Sequence, residues 1–222
     1  GLLNADCSVM PVMLFLEDHK AETIERVIAA AKQYGAELGD DNTRFMLASG
    51  PAGVMAATNE AVSEAQQPMM WYVYGAVILL CLLSFRSLRA TISVILPLYV
   101  VSVLATALMT KLQIGLTVST LPVIALGVGI GVDYGIYILS NMTQMLRDGA
   151  PLRQAYFEAL KERGSAVLFT GITLAIGVST WVFSALKFQV DMGILLTFMF
   201  IVNMLGAIVV LPALAAFLWR RN

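Results

Sequence analysis

Residues 121–142 read LPVIALGVGIGVDYGIYILSNM, an apolar stretch of helical length with a single charge, Asp133. It lies inside a longer run, 112–146, that Asp133 alone interrupts. A membrane-spanning helix needs roughly 20 predominantly apolar residues, and this run supplies them. Charge-free stretches at 65–85, 90–110, 164–186 and 192–219 have the same character. Five spanning helices are therefore expected, over about 68–85, 90–110, 115–142, 164–186 and 191–219. Hydrophobic residues make up 59% of the 222 and charged residues 13%, about half the roughly 25% charge of a soluble domain. That balance excludes a water-soluble globular protein and a disordered chain. A net charge of −1 excludes a nucleic-acid binder, which needs a basic footprint.

The charges are unevenly placed. Residues 1–67 hold ten acids against four bases, a balance of −6, and residues 68–222 hold ten bases against five acids, a balance of +5. Around the spans, Arg86, Arg89, Arg147, Arg153, Lys161, Arg163, Arg220 and Arg221 fall on one side, and Lys111 and Lys187 on the other. The positive-inside rule puts the eight in the cytoplasm and residues 1–67 outside. Trp71, Tyr72 and Tyr74 then suit the outer interfacial belt.

The acidic segment reads as α/β. Val9–Leu16 and Thr43–Ala48 are short runs expected as strands. Asp18 is placed to cap a helix carrying Ile24, Val27, Ile28 and Ala31 at helical spacing. Gly50-Pro51-Ala52-Gly53 is expected to turn the chain, and Val54–Gln67 to be helical, with the boundary near Pro68. Two strands are too few for an independent sheet, so this piece is expected to be part of something larger. Between the third and fourth spans, Leu152, Ala155, Tyr156, Ala159 and Leu160 form one apolar stripe, expected as an amphipathic helix over about 150–163 on the cytoplasmic face. A solvated connector is the plainer alternative.

Asp133 is where chemistry is expected. A carboxylate at mid-membrane costs roughly 2.5–3.5 kcal/mol on insertion scales and is functional by default. Its plainest alternative role is to cap or pair with a neighbouring helix. Functionally it is a proton-carrying group, because a desolvated carboxylate holds its proton more tightly. Gly127, Gly131 and Gly135 recur at every fourth residue, a face that admits another helix closely. Tyr134 can donate to a carboxylate on a facing helix, and Tyr137 follows Asp133 by one turn. Ala166, Thr170, Thr173, Gly177, Thr180 and Ser184 form a small, hydroxyl-rich stripe in the fourth span. It packs helices closely or bonds a carboxylate. Asn203, deep in the fifth span, is expected to bond a backbone carbonyl. His19 has no second soft ligand near it, so no metal site is expected, nor a cofactor. Cys7 and Cys81 are not expected to pair.

The motif Gly131-Val132-Asp133-Tyr134-Gly135 within five helices after an external piece resembles the resistance-nodulation-division (RND) superfamily, in its MMPL-like exporter branch. Phe169-Thr170-Gly171-Ile172-Thr173-Leu174-Ala175-Ile176-Gly177-Val178 is similar to that superfamily's penultimate helix, and Leu211-Pro212-Ala213-Leu214 to the last helix of a half. The resemblance implies an α-helical polytopic membrane protein: five transmembrane helices of one RND half, the C-terminal one, with part of a periplasmic α/β, porter-like subdomain. It implies proton-driven export of hydrophobic or amphiphilic molecules from a bacterial inner membrane, with Asp133, Tyr134, Thr170 and Thr173 in the proton relay. Gly127, Gly131, Gly135 and Gly177 would serve helix packing. The implied partners are the remaining half of the transporter, membrane lipids, protons, a hydrophobic substrate, further copies in a homo-oligomer and a periplasmic adaptor. The runner-up functions are a lipid- or sterol-sensing-like interaction module and a SecD/SecF-like translocation motor subunit. No nucleophile–base or metal constellation suggests an enzyme.

Overall fold

The structure, a computed structural model, describes residues 4–6, 8–17, 21–40, 43–47 and 50–219. Its chain divides into two compact units, Gly1–Glu64 and Ala65–Asn222. Eight α-helices are described: α1 (Ala21–Leu38), α2 (Pro51–Phe85), α3 (Leu88–Lys111), α4 (Leu121–Arg147), α5 (Leu152–Ala159), α6 (Ser165–Ser179), α7 (Lys187–Leu205) and α8 (Leu211–Trp219).

In the first unit, α1 turns an apolar face inward. Ile24 is buried, and Ile28 and Val27 are half-buried. The first turns of α2 bury Ala56 and Val62. Lys32 Nζ meets Glu60 Oε1 at 3.3 Å with both side chains exposed, a pair worth little in water. No strand forms among the described residues, which corrects the α/β reading of 1–67. The expected strands at Val9–Leu16 and Thr43–Ala48 are irregular where described, and Ala48 lies outside the described residues. Phe15 is 93% exposed and Met46 80%. The physical reason is that a strand needs a paired neighbour for its N–H and C=O groups, and two short runs do not make a sheet. A helix closes its hydrogen bonds within itself, so α1 stands without that neighbour. Asp18, the expected cap, and His19, Cys7, Arg220 and Arg221 lie outside the described residues.

Pro51 opens α2, as suits the first position of a helix, and the helix continues through Pro68. The unit boundary, between Glu64 and Ala65, falls inside this helix a few residues before Pro68, near which it was expected. Among the described residues, five stretches are long and apolar enough to cross a membrane: Gly53–Phe85, Leu88–Lys111, Leu121–Arg147, Leu152–Phe183 and Lys187–Trp219.

Within the second unit, α4 and α7 form the centre. α4 packs on α3, α5 and α7, while α7 also packs on α6 and α3. The largest buried side chains, including Ile138, Leu139, Met142, Leu195, Leu196, Met199 and Phe200, come mainly from these two helices. Tyr74 of α2 is fixed to α3 through Ser102 Oγ at 2.7 Å and the Leu98 carbonyl at 3.2 Å.

Two π-helical turns interrupt the later spans, at Leu160–Gly164 and Gly206–Val210. The first joins α5 to α6, so the amphipathic segment runs directly into the fourth span. Its stripe is used for packing: Ala155 and Ala159 are fully buried where α5 meets α4. The second π turn is tied to α5, because Tyr156 Oη donates to the Ile208 carbonyl at 2.8 Å.

Candidate functional site

α4 has two faces of opposite character. On the inner one, Gly127, Gly131 and Gly135 are where neighbouring helices come closest. A Cβ at Gly131 would lie 2.6 Å from the Asn203 amide and from Leu98 Cδ2. At Gly127 it would run into the Met199 thioether, and at Gly135 it would lie 2.9 Å from Val94 Cγ1. Only hydrogen fits at such spacings, so the glycines let α7 and α3 seat against the α4 backbone.

Asn203 sits in this seam and is 3% exposed. Its Nδ2 donates to the Gly127 carbonyl at 2.9 Å. Its Oδ1 has no hydrogen-bond partner among the described residues, and neither does the buried hydroxyl of Tyr134. Tyr134 follows Gly127 and Gly131 on the same helical stripe and is 1% exposed.

The outer face carries Leu126, Gly129, Asp133, Tyr137 and Ser140, all exposed, at helical spacings of 3, 4, 4 and 3. Asp133 has no hydrogen-bond or ion-pair partner among the described residues. It therefore projects from the bundle within a span, where its charge is most costly.

α6 repeats the division. Gly171 and Ala175 face inward, and a Cβ at Gly171 would lie 2.6 Å from Met204 Sδ. Ala166, Thr170, Thr173, Gly177 and Thr180 are exposed, and a Cβ at Gly177 would meet nothing within 4 Å. Thr180 Oγ1 bonds its own helix at the Gly177 carbonyl (2.7 Å), and Ser184 Oγ reaches Gln189 Oε1 at 2.9 Å. Thr170 and Thr173 make no hydrogen bond to Asp133, and each projects from its own helix's outer side.

The structure thus joins the three α4 glycines and Asn203 in one seam and leaves Asp133, Thr170 and Thr173 on outward faces. Sequence reasoning did not single out Gly193, which seats α7 against the end of α6: a Cβ there would lie 2.8 Å from Trp181 Cβ and 2.9 Å from the Val178 carbonyl. A lone glycine between Met192 and Ile194 was its only signal. No cluster of three or more His, Cys, Asp or Glu able to hold a metal occurs among the described residues.

Comparison with known proteins matches the model of the MMPL family to residues 6–222. A putative membrane protein of Methanocaldococcus jannaschii is 25% identical over 169 residues, 76% of this chain and 44% of the relative. The probable transport protein MmpL8 of Mycobacterium bovis is 27% identical over 181 residues, 78% of this chain and 16% of the relative. A sulfolipid-1 exporter, MmpL8 of Mycobacterium tuberculosis, is 33% identical over 95 residues, 43% of this chain and 9% of the relative. The chain spans less than half the length of each of these relatives.

Proposed function

The chain belongs to the MMPL family of membrane proteins, and on that premise we propose that it is the membrane half of a proton-driven exporter of lipid-like molecules. The observation that carries this reading is Asp133, an acid within a span, on an outward face of α4 and without a partner among the described residues. A relative named as a sulfolipid-1 exporter supports the cargo class.

The mechanism follows from the cost of the charge. Ionised, Asp133 disfavours an apolar environment by roughly 2.5–3.5 kcal/mol and draws α4 toward hydrogen-bond donors. Protonated, it loses most of that cost, and α4 is free to leave them. The remaining half of the transporter supplies the facing surface, and the outward Thr170 and Thr173 supply hydroxyls to it. Tyr134, next to the carboxylate, enters the relay when α4 turns. The glycine seam couples a turn of α4 to α7 and α3, since Asn203, Met199 and Leu98 lie directly on the α4 backbone there. Residues 1–67 lie on the periplasmic side of a bacterial inner membrane, where they handle cargo with an adaptor and further copies of the protein.

Cells carrying the full-length protein, with newly made lipids labelled by radioactive acetate, test this. Collapsing the whole proton-motive force with a protonophore while ATP is maintained is expected to stop labelled lipid from reaching the outer layers. Export that continues undiminished would overturn the proton-driven reading.

A further inference from the structure

Asn203 does more than fill the seam between α4 and α7. Among the described residues it is the one buried side chain that grips the α4 backbone through a hydrogen bond, at Gly127, and its amide lies over Gly131 at a distance that leaves no room for a methyl. Gly127 and Gly131 are the two turns that precede Asp133. A group bonded at one and seated on the other fixes the rotation of α4 about its axis. That rotation decides which way Asp133 points, because Asp133 and the glycine stripe lie on opposite sides of the helix.

A second observation concerns the same two helices. Asn203 Oδ1 and Tyr134 Oη are both buried without a partner among the described residues, although such groups are ordinarily satisfied. One is an acceptor on α7. The other is able to donate, and belongs to the residue next to Asp133. α4 and α7 thus share one made hydrogen bond, and each carries one buried polar group left without a partner among the described residues.

We propose that Asn203 is a positioning residue for Asp133: its bond to the Gly127 carbonyl holds the carboxylate outward, and its free oxygen receives Tyr134 when α4 turns. Asn203 itself touches neither proton nor cargo. The inference rests on the reading of Asp133 as the proton carrier.

The test uses dicyclohexylcarbodiimide, an apolar reagent for protonated carboxyl groups in membranes, on membranes holding the full-length protein. Modification of Asp133 is followed by mass spectrometry of the peptide. Asn203→Leu and the smaller Asn203→Ala both remove the donor. Each is expected to slow Asp133 labelling about three- to tenfold, the population change that loss of one hydrogen bond of ordinary strength produces. Met199→Ala loosens the same seam at Gly127 without touching a hydrogen bond. It is expected to lower the melting temperature and leave the labelling rate unchanged. Wild-type labelling rates in both Asn203 variants would overturn the proposal while leaving the proton-carrier reading intact. So would an equal slowing in Met199→Ala, which would reduce Asn203 to packing. An Asp133 that reacts in no variant, wild type included, would overturn both readings.

Discussion

Replacing Gly131 with alanine adds one methyl at the tightest polar contact of the bundle. The new Cβ would lie 2.6 Å from Asn203 Cγ and Nδ2 and from Leu98 Cδ2, about 1 Å inside ordinary carbon contact. Leu98 is 3% exposed and fully packed. Asn203 is tethered to the Gly127 carbonyl, so it yields only by breaking that bond. Overpacking of this kind costs about 1–3 kcal/mol, and an interhelical hydrogen bond in a membrane protein adds about 0.6. Alanine returns about 0.8–1.0 kcal/mol of helix propensity. The net destabilisation is therefore about 1–3 kcal/mol. Gly75, in α2, is the matched control, because a Cβ there meets nothing within 4 Å, and Gly75→Ala keeps only the propensity gain. Thermal unfolding of the purified full-length protein in detergent, followed by tryptophan fluorescence, reads both. Gly131→Ala is expected to melt several degrees lower and Gly75→Ala at or slightly above wild type. A Gly131→Ala protein as stable as the parent would refute the close seating of Asn203 on α4.

Paired cysteines at Gly127 and Met199 are expected to form a disulfide under mild oxidation in a background lacking Cys7 and Cys81. Their Cβ atoms would stand 3.2 Å apart, a few tenths short of the usual range of about 3.5–4.5 Å. Cross-linking is read on peptides by mass spectrometry, and export in the cross-linked state is expected to stop until a reductant is added. Tyr156→Phe removes the hydroxyl that satisfies the Ile208 carbonyl at the second π turn, and is expected to cost about 0.5–1.5 kcal/mol in the same melting assay. Glu60→Gln, which breaks the exposed pair with Lys32, is expected to change stability by less than about 1 kcal/mol, and less still in high salt.

The membrane spans were legible because their signal is local: a long apolar run declares itself whatever surrounds it. Asp133 stood out for the same reason, as the one acid among five apolar stretches. Which side of its helix it occupies was less legible. In α4 the glycine stripe at every fourth residue marked the inner side. In α6 the spacing alone did not choose, since Gly171 and Ala175 point inward and Thr170, Thr173 and Gly177 outward, and both rows are small. The two strands within residues 1–67 were misread because a strand's existence depends on partners far away in sequence, whereas the amphipathic pattern of α1 needs none. Pro68 lies close to the unit boundary without ending α2, because a proline costs a helix one hydrogen bond and a clash one turn back, which the length of α2 absorbs. Nothing local announced the two π turns, although Tyr156 and Gly206 are the residues that later prove to mark one of them.

The proposed role of Asp133 as carrier of the proton that drives export is tested most directly by Asp133→Asn in the full-length protein, expressed in a host deleted for its own copy, with the outer-layer lipids profiled by mass spectrometry. Asparagine keeps the size and removes the titration. The expected result is a lipid profile matching the deletion strain, with the variant present in the membrane at wild-type amount. A wild-type profile from that variant would contradict it.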